Sequence, residues 1–555
     1  MRHPPMKAFK TSVFKFLRPT LFVLATIGLL AFGSAKAGLF EITKQLEIFN
    51  TLFKELALNY VDETTPATLM DQAITGMLEG LDPYTIYWTE QEVSDAKVAR
   101  ESNYTNLGAG FRRFDNQWLV VSTTENGPAD AAGMKVGDVL HSINGVLLSD
   151  DLNQLDPLVA ASADREVALE FYRGQQKSSV SLMPTKSQTS PVVCAKLIKN
   201  NVAYIALEAF SATTYKDTKK ALFELKAEGA QGLILDLRNN PGGLLTEAVN
   251  LVSLFVPKGT LVTYTQSAVE AYNQTYVTQR LPADLDMPVV VLINARSASA
   301  SEIVSGALQD LDRAVIIGGR SFGKGLVQRP KPLSYGTQLK VTISRYYTPS
   351  GRCIQALDYW QRDADGDPIR TQPESYNAFK TKGGRTVYDG GGILPDRLYA
   401  SSNGHPLINQ LNKSRLLIDF GSTFMTEHPF SRPDEFEFSD KDFDRFLEFV
   451  RSHPDALSTI SEKSMAELRT TASKEGLETF VDRDLKRLAQ GLSQAKIDLL
   501  KSEKMAVRST LIEAILPRYF YLAGLYDYKL KHDAEVLSAL EVLGNKKVYT
   551  KILTP

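Results

Sequence analysis

Between residues 195 and 350, short apolar runs alternate with stretches of helical periodicity, and this restricts the fold more than any other feature of the chain. Ala203 to Leu207, Gly232 to Leu237, Val289 to Ile293 and Ala314 to Ile317 are short and largely aliphatic, so they read as buried strands. Tyr215 to Glu228, Leu245 to Phe255 and Ser301 to Leu311 read as helices. Strands that alternate with helices predict an α/β core with a partly parallel sheet, and place a site in the connections that follow its strands.

Those connections hold the reactive groups. Ser297-Ala298-Ser299-Ala300-Ser301-Glu302 follows the run at Val289 and opens the next helix, and Phe322-Gly323-Lys324-Gly325 places a lysine on a tight turn after the run at Ala314. A serine attacks a carbonyl only if a base takes its proton, usually a histidine held by a carboxylate. His3, His141, His405, His428, His453 and His532 all lie outside the α/β segment. Lysine is the alternative, and it must be neutral. Its reference pKa of about 10.4 has to fall to roughly 7–8, a cost of about 4 kcal/mol, through burial away from carboxylates. Phe322, Leu326 and Val327 flank Lys324, and no acid lies between Asp312 and Asp358.

A tetrahedral intermediate also needs donors for its oxyanion. The N–H of Ala300, free at a helix start, supplies one, and the glycine-rich turn Asn239-Asn240-Pro241-Gly242-Gly243 is placed to supply another. Spacing does not choose among Ser297, Ser299 and Ser301. Ser299 and Glu302 also fit an S-x-x-E capping box, in which the serine only caps a helix. Asp310 and Arg313 read as a helical ion pair.

The remaining chain suggests several domains. Basic residues from Arg2 to Arg18, an apolar run from Leu21 to Phe32 and Ala35-Lys36-Ala37 form a secretory signal with cleavage expected after Ala37 and no membrane span afterwards, so the protein is expected in the periplasm of a Gram-negative type of bacterium. Phe40, Leu46, Phe49, Phe53, Leu56 and Tyr60 mark an amphipathic helix, Leu69, Ala73, Met77 and Leu78 a second, and Glu90 to Glu101 a polar third. With 63 basic and 64 acidic residues, the chain carries no electrostatic footprint for nucleic acid. Cys194 and Cys353 read as free thiols. No zinc-like spacing occurs, and the acidic run Asp363 to Asp367 lacks the glutamate that would close a calcium loop, so neither metal nor cofactor is expected. From about Ser439 onward, Phe443, Phe446, Leu447 and Val450 and then Ile497 to Leu516 announce an amphipathic helical bundle.

Between Tyr104 and Pro184, Gly108-Ala109-Gly110-Phe111, Gly127-Pro128-Ala129-Asp130-Ala131-Ala132-Gly133-Met134, Gly137-Asp138 and Ile143-Asn144-Gly145 together resemble a PDZ domain. In such a domain a glycine-rich loop presents backbone N–H groups to a peptide's terminal carboxylate, and a strand edge pairs with the peptide. Leu233 to Gly243, Ser297 to Ile303, Phe322 to Gln328 and Tyr346-Tyr347-Thr348-Pro349-Ser350-Gly351-Arg352 resemble the C-terminal processing, or tail-specific, proteases of the S41 type.

That resemblance implies a ClpP/crotonase-like α/β protease core with an inserted PDZ domain and helical N- and C-terminal regions. The expected bounds are a signal peptide at 1–37, a helical region at 38–103, the PDZ domain at 104–185, the core at 186–400 and a C-terminal helical domain at 401–555. It also implies Ser299 as nucleophile, Lys324 as general base, Gln328 as the residue orienting the lysine, and the N–H groups of Ala300 and Gly243 as the oxyanion hole. Gly108, Ala109, Gly110 and Phe111 become the peptide-binding positions. The expected partners are protein or peptide substrates engaged by their C-termini, with an adaptor or a second copy of the chain on the helical regions. The competing readings are a catalytically silent PDZ scaffold and an acyl-CoA enzyme. The presence of Ser299, Lys324 and Gln328 argues against the first, and export with a PDZ domain against the second.

Overall fold

The computed structural model describes residues 39–93, 105–114, 116–148, 155–160, 162, 165–186, 190–363, 368–399 and 406–554. The signal sequence, the helix expected beyond residue 93 and most of the acidic run from Asp363 lie outside them. The chain divides into two compact units, Met1–Pro83 and Tyr84–Pro555. In the first, residues 39–59 and Pro66–Glu79 are helical, as the apolar spacing predicts. Phe49 stacks on Phe53 at 6.4 Å, while Phe40, Leu46, Leu56 and Met77 are exposed. No helix among the described residues is long and apolar enough to cross a membrane.

The second unit contains the α/β core. Six strands lie in the sheet in chain order: β1 (Val192–Ile198), β2 (Val202–Leu207), β3 (Gly232–Asp236), β4 (Val289–Ile293), β5 (Val315–Gly318) and β6 (Arg397–Leu398). β1 pairs antiparallel with β2, and every later pair is parallel. Helices α1 (Thr214–Ala227), α2 (Leu245–Val252) and α3 (Ala300–Asp310) make the crossovers that parallel neighbours require. Because side chains alternate along a strand, the sheet has two apolar faces to cover. Ile205, Leu235, Val291 and Ile316 face Leu222, Ala248, Val252 and Val304 of the crossover helices.

The other face is covered by sequence more than 200 residues further on. Tyr204, Ile234, Val290, Leu292 and Ile317 pack on Val536, Ala539, Leu540 and Val542. These belong to α5 (Ala534–Gly544), which lies between the long α4 (Lys504–His532) and the terminal α6 (Lys546–Leu553). The C-terminal helices therefore split between two cores. Helices from Pro406 onward and α4 as far as Leu525 form their own cluster, in which Phe443, Phe446, Leu447 and Val450 are buried as their spacing predicts. The last two helices complete the α/β core.

A second sheet positions the lysine turn. Strand Gln338–Tyr347 pairs with Leu326–Pro332, Leu261–Gln266 and Ile86–Trp88. A separate sheet runs Ala109–Phe114, Gln117–Thr123, Val139–Ile143, Val167–Arg173 and Gln176–Leu182, with Ala109–Phe114 at its edge. Both cysteines are free, and burial raises the Cys194 thiol to about 12.

Candidate active site

The turn between β4 and α3 carries the three serines, and their hydroxyls have different fates. Ser297 Oγ donates to the Leu237 carbonyl at 2.8 Å and accepts the Asn294 N–H at 2.9 Å. Ser301 Oγ donates to the Asn240 carbonyl at 2.9 Å. Both serines are fully buried and both fasten this turn to the glycine-rich turn after β3. Ser299 is half-buried, and its hydroxyl makes no cap hydrogen bond. The capping box read from the sequence is present in outline. Its carboxylate half is a hydrogen bond, Ser299 N–H to Glu302 Oε2 at 2.8 Å, whereas its hydroxyl half is a contact.

Ser299 itself is strained. Its φ of 55° and ψ of −111° lie where glycine is at ease and a side chain is not. The turn holds it there from both sides: Ala298 N–H donates to the Asn240 carbonyl at 3.1 Å, and the Ser299 carbonyl accepts from Glu302 and Ile303.

Glycine is required where the turn after β3 meets this one. A Cβ on Gly242, at φ +97°, would stand 2.6 Å from the Ala298 carbonyl oxygen. On Gly243, at φ +147°, it would stand 2.2 Å from that of Phe210. Asn240 shapes the turn by accepting the Gly242 N–H and donating to the Leu207 carbonyl, both at 2.9 Å. Among the described residues, neither the Ala300 nor the Gly243 N–H donates to a protein acceptor. Both N–H groups are therefore free to donate, one in the Ser299 turn and one in the glycine-rich turn packed against it.

Glu302 links this turn to the lysine turn, a role that linear sequence gave no means to see. Its Oε1 accepts from Ser321 Oγ at 2.6 Å and Gly323 N–H at 2.7 Å, and its Oε2 accepts from Ser299 N–H at 2.8 Å and Lys324 N–H at 2.9 Å. The residue is fully buried, and desolvation pushes its carboxyl up to about 7 against the hydrogen bonds that hold it down. The stretch without acids around Lys324 is therefore a property of the sequence and not of the space, because a carboxylate from α3 meets the backbone of the lysine turn. Tyr346 makes a second link, its hydroxyl donating to the Lys324 carbonyl at 2.7 Å and lying 3.2 Å from that of Ser299.

Lys324 places its Nζ over the ring of Tyr84, 4.0 Å from the centroid. Tyr84 lies two residues before the short strand Ile86–Trp88, where the sequence itself offers only the turn Leu81-Asp82-Pro83-Tyr84 that stops a helix. Gly323 passes so close to a neighbouring loop that a Cβ would lie 2.4 Å from that of Ala356. Gln328, on Leu326–Pro332, donates from Nε2 to Thr342 Oγ1 at 3.2 Å, which leaves its amide oxygen as the group it can offer a lysine.

One expectation needs correction. Asp310 does not pair with Arg313. It holds the fully buried Arg352 at 2.7 Å and accepts the Ser350 N–H at 3.0 Å, while Arg313 donates to the Phe255 carbonyl at 2.7 Å. Of the expected peptide-binding positions, Gly108 has its N–H hydrogen-bonded to Asn106 Oδ1 at 2.7 Å. Ala109, Gly110 and Phe111 begin the edge strand. Among the described residues no group of acids, cysteines and histidines could hold a metal.

Three stretches of the chain match known families. Residues 201–359 match peptidase family S41, residues 105–183 the PDZ domain, and residues 407–543 the C-terminal helical domain of probable PDZ-proteases. The carboxy-terminal-processing protease of Bartonella bacilliformis is 32% identical over 346 residues, 60% of this chain and 78% of that protein. The carboxy-terminal processing protease CtpA of Bacillus subtilis is 31% identical over 342 residues, 60% of this chain and 71% of that protein. The solved photosystem II D1 C-terminal processing protease aligns with 58% of this chain and 85% of its own at 26% identity and a TM-score of 0.37.

Proposed function

The chain belongs to peptidase family S41 and is a serine peptidase of the C-terminal processing type with a PDZ domain, and from that premise we propose a periplasmic endopeptidase that works through a Ser299–Lys324 dyad. The PDZ domain captures the free C-terminus of a protein substrate, with the backbone of Ala109, Gly110 and Phe111 at the carboxylate loop and strand edge. Ser299 Oγ attacks the scissile carbonyl as Lys324, in its neutral form, takes the proton. The N–H groups of Ala300 and Gly243 hold the oxyanion. Lys324 then protonates the leaving amine, and water releases the acyl group by the same steps in reverse. Gln328 orients the lysine through its amide oxygen, without the charge that would keep the ammonium protonated.

One observation carries this reading: of the three serine hydroxyls in the turn, those of Ser297 and Ser301 are spent on its architecture, and that of Ser299 has no capping bond. The leader from Arg2 to Ala37 supports the periplasmic assignment.

The mature protein should cut an unstructured polypeptide into internal fragments, and amidation of the substrate's C-terminus should slow cleavage. Lys324→Met, which keeps the aliphatic stem, should lower kcat about 10³-fold or more with the thermal midpoint little changed. Mass spectrometry of the products checks both. Undiminished cleavage by the Lys324→Met protein would exclude the dyad.

A further inference from the structure

The glycine-rich turn is anchored at its root by groups that arrive from the far end of the chain. Arg238, two residues beyond the end of β3, lays its Nε and Nη2 on the buried Asp236 at 3.0 and 2.6 Å. Its Nη1 donates to Asp533 Oδ2 and to Glu535 Oε2, both at 2.7 Å. Asp533 is at the same time the N-cap of α5, its Oδ1 accepting from Glu535 N–H at 2.9 Å and Val536 N–H at 3.2 Å. The side chains of Arg238, Asp533 and Glu535 are only 10%, 17% and 16% exposed, so water screens the cluster little.

The backbone after Arg238 leads directly to a proposed oxyanion donor. Asn239 exchanges two hydrogen bonds with the Asn294 side chain, at 3.0 and 2.9 Å, and Asn240 then turns the chain to Gly243. A donor displaced by about 1 Å costs on the order of 10²-fold in rate. Arginine suits such an anchor because its fork fixes direction as well as charge.

We infer that Asp533 and Glu535 are positioning residues for the oxyanion hole: the start of α5 grips Arg238 and so fixes the path from Asp236 to Gly243. This rests on the reading of Gly243 N–H as an oxyanion donor. The segment is then part of the catalytic apparatus although it carries no chemical signature and lies about 290 residues beyond the turn.

The test is the double variant Asp533→Asn, Glu535→Gln in the full-length mature chain. Asparagine caps a helix as well as aspartate does, so α5 keeps its start while Arg238 loses both outer charges. Oxyanion donors act mainly in the transition state, so kcat should fall about 10- to 100-fold with KM unchanged. Affinity for a peptide boronic acid, which forms a tetrahedral adduct on serine, should fall by a similar factor. Glu535→Gln alone, with the cap untouched, should give a smaller fall of the same kind and serves if the double variant folds poorly. A folded variant with wild-type kcat and boronate affinity would overturn the inference, as would a change confined to KM. Ser299→Ala, assayed in parallel, separates the two levels: continued cleavage by that protein would overturn the serine mechanism itself.

Discussion

Replacing Ser299 by alanine is expected to abolish proteolysis while leaving the protein folded. Removal of a serine nucleophile costs about 10⁶-fold in kcat where the rest of the site is intact. A helix cap would behave otherwise, because loss of a capping hydroxyl costs about 1 kcal/mol of stability and nothing in chemistry. Since the Ser299 hydroxyl makes no capping bond, Ser299→Ala should unfold within a few tenths of a kcal/mol of wild type. Ser299→Gly is the sharper companion. At φ 55° and ψ −111° glycine removes the strain on Cβ, so this variant should be inactive and more stable by about 1 kcal/mol. Chemical denaturation beside a cleavage assay measures both, and a Gly variant less stable than wild type would deny that the turn is strained to present its serine.

Loss of Glu302 should cost both activity and stability, because one side chain sets the backbone of both proposed catalytic residues. In Glu302→Gln an amide group must replace one carboxylate oxygen, and each oxygen already accepts two hydrogen bonds. The NH₂ then faces donors. Activity should fall about 10²-fold through misplacement of the two turns, and stability by about 1–3 kcal/mol for each donor left unpaired.

The wild-type carboxyl also gives a pH signature. Burial pushes it from 4.5 to about 7, so within that window the folded protein holds a proton that the unfolded chain releases. Stability contributed by the neutral carboxyl is therefore complete below about 4.5 and is lost as the pH rises through about 7, a change of about 3 kcal/mol. The stability advantage of wild type over Glu302→Gln should shrink accordingly from pH 4.5 to 7 in denaturant titrations. A constant difference would mean that the hydrogen bonds keep the carboxylate ionised throughout.

What was legible in the sequence follows from what acts locally. The apolar runs at Ala203, Gly232, Val289 and Ala314 are strands because an aliphatic run of that length has few alternatives, and the glycines at 242, 243 and 323 stand where a Cβ would collide. Phe443, Phe446, Leu447 and Val450 face a core because helical spacing puts them on one side. The groups that escaped notice act across long separations. Glu302 looks like half of a capping box until the lysine turn folds onto it, and Tyr84 like the end of a helix until Ile86–Trp88 pairs with Gln338–Tyr347. Strands buried on both faces imply two covering layers, but periodicity alone does not say that the second comes from Val536, Ala539 and Leu540. Asp310 and Arg313 look paired because they lie three residues apart in sequence, whereas the fold brings Arg352 onto Asp310.

The central claim is that Ser299 is the nucleophile and Lys324 its base. Intact-mass analysis after treatment with a fluorophosphonate, followed by peptide mapping of the adduct, tests it most directly. One equivalent should attach to Ser299, and labelling should be slowed at least 10²-fold in Lys324→Met. An adduct on Ser297 or Ser301, or unchanged labelling of Ser299 in the lysine variant, would contradict it.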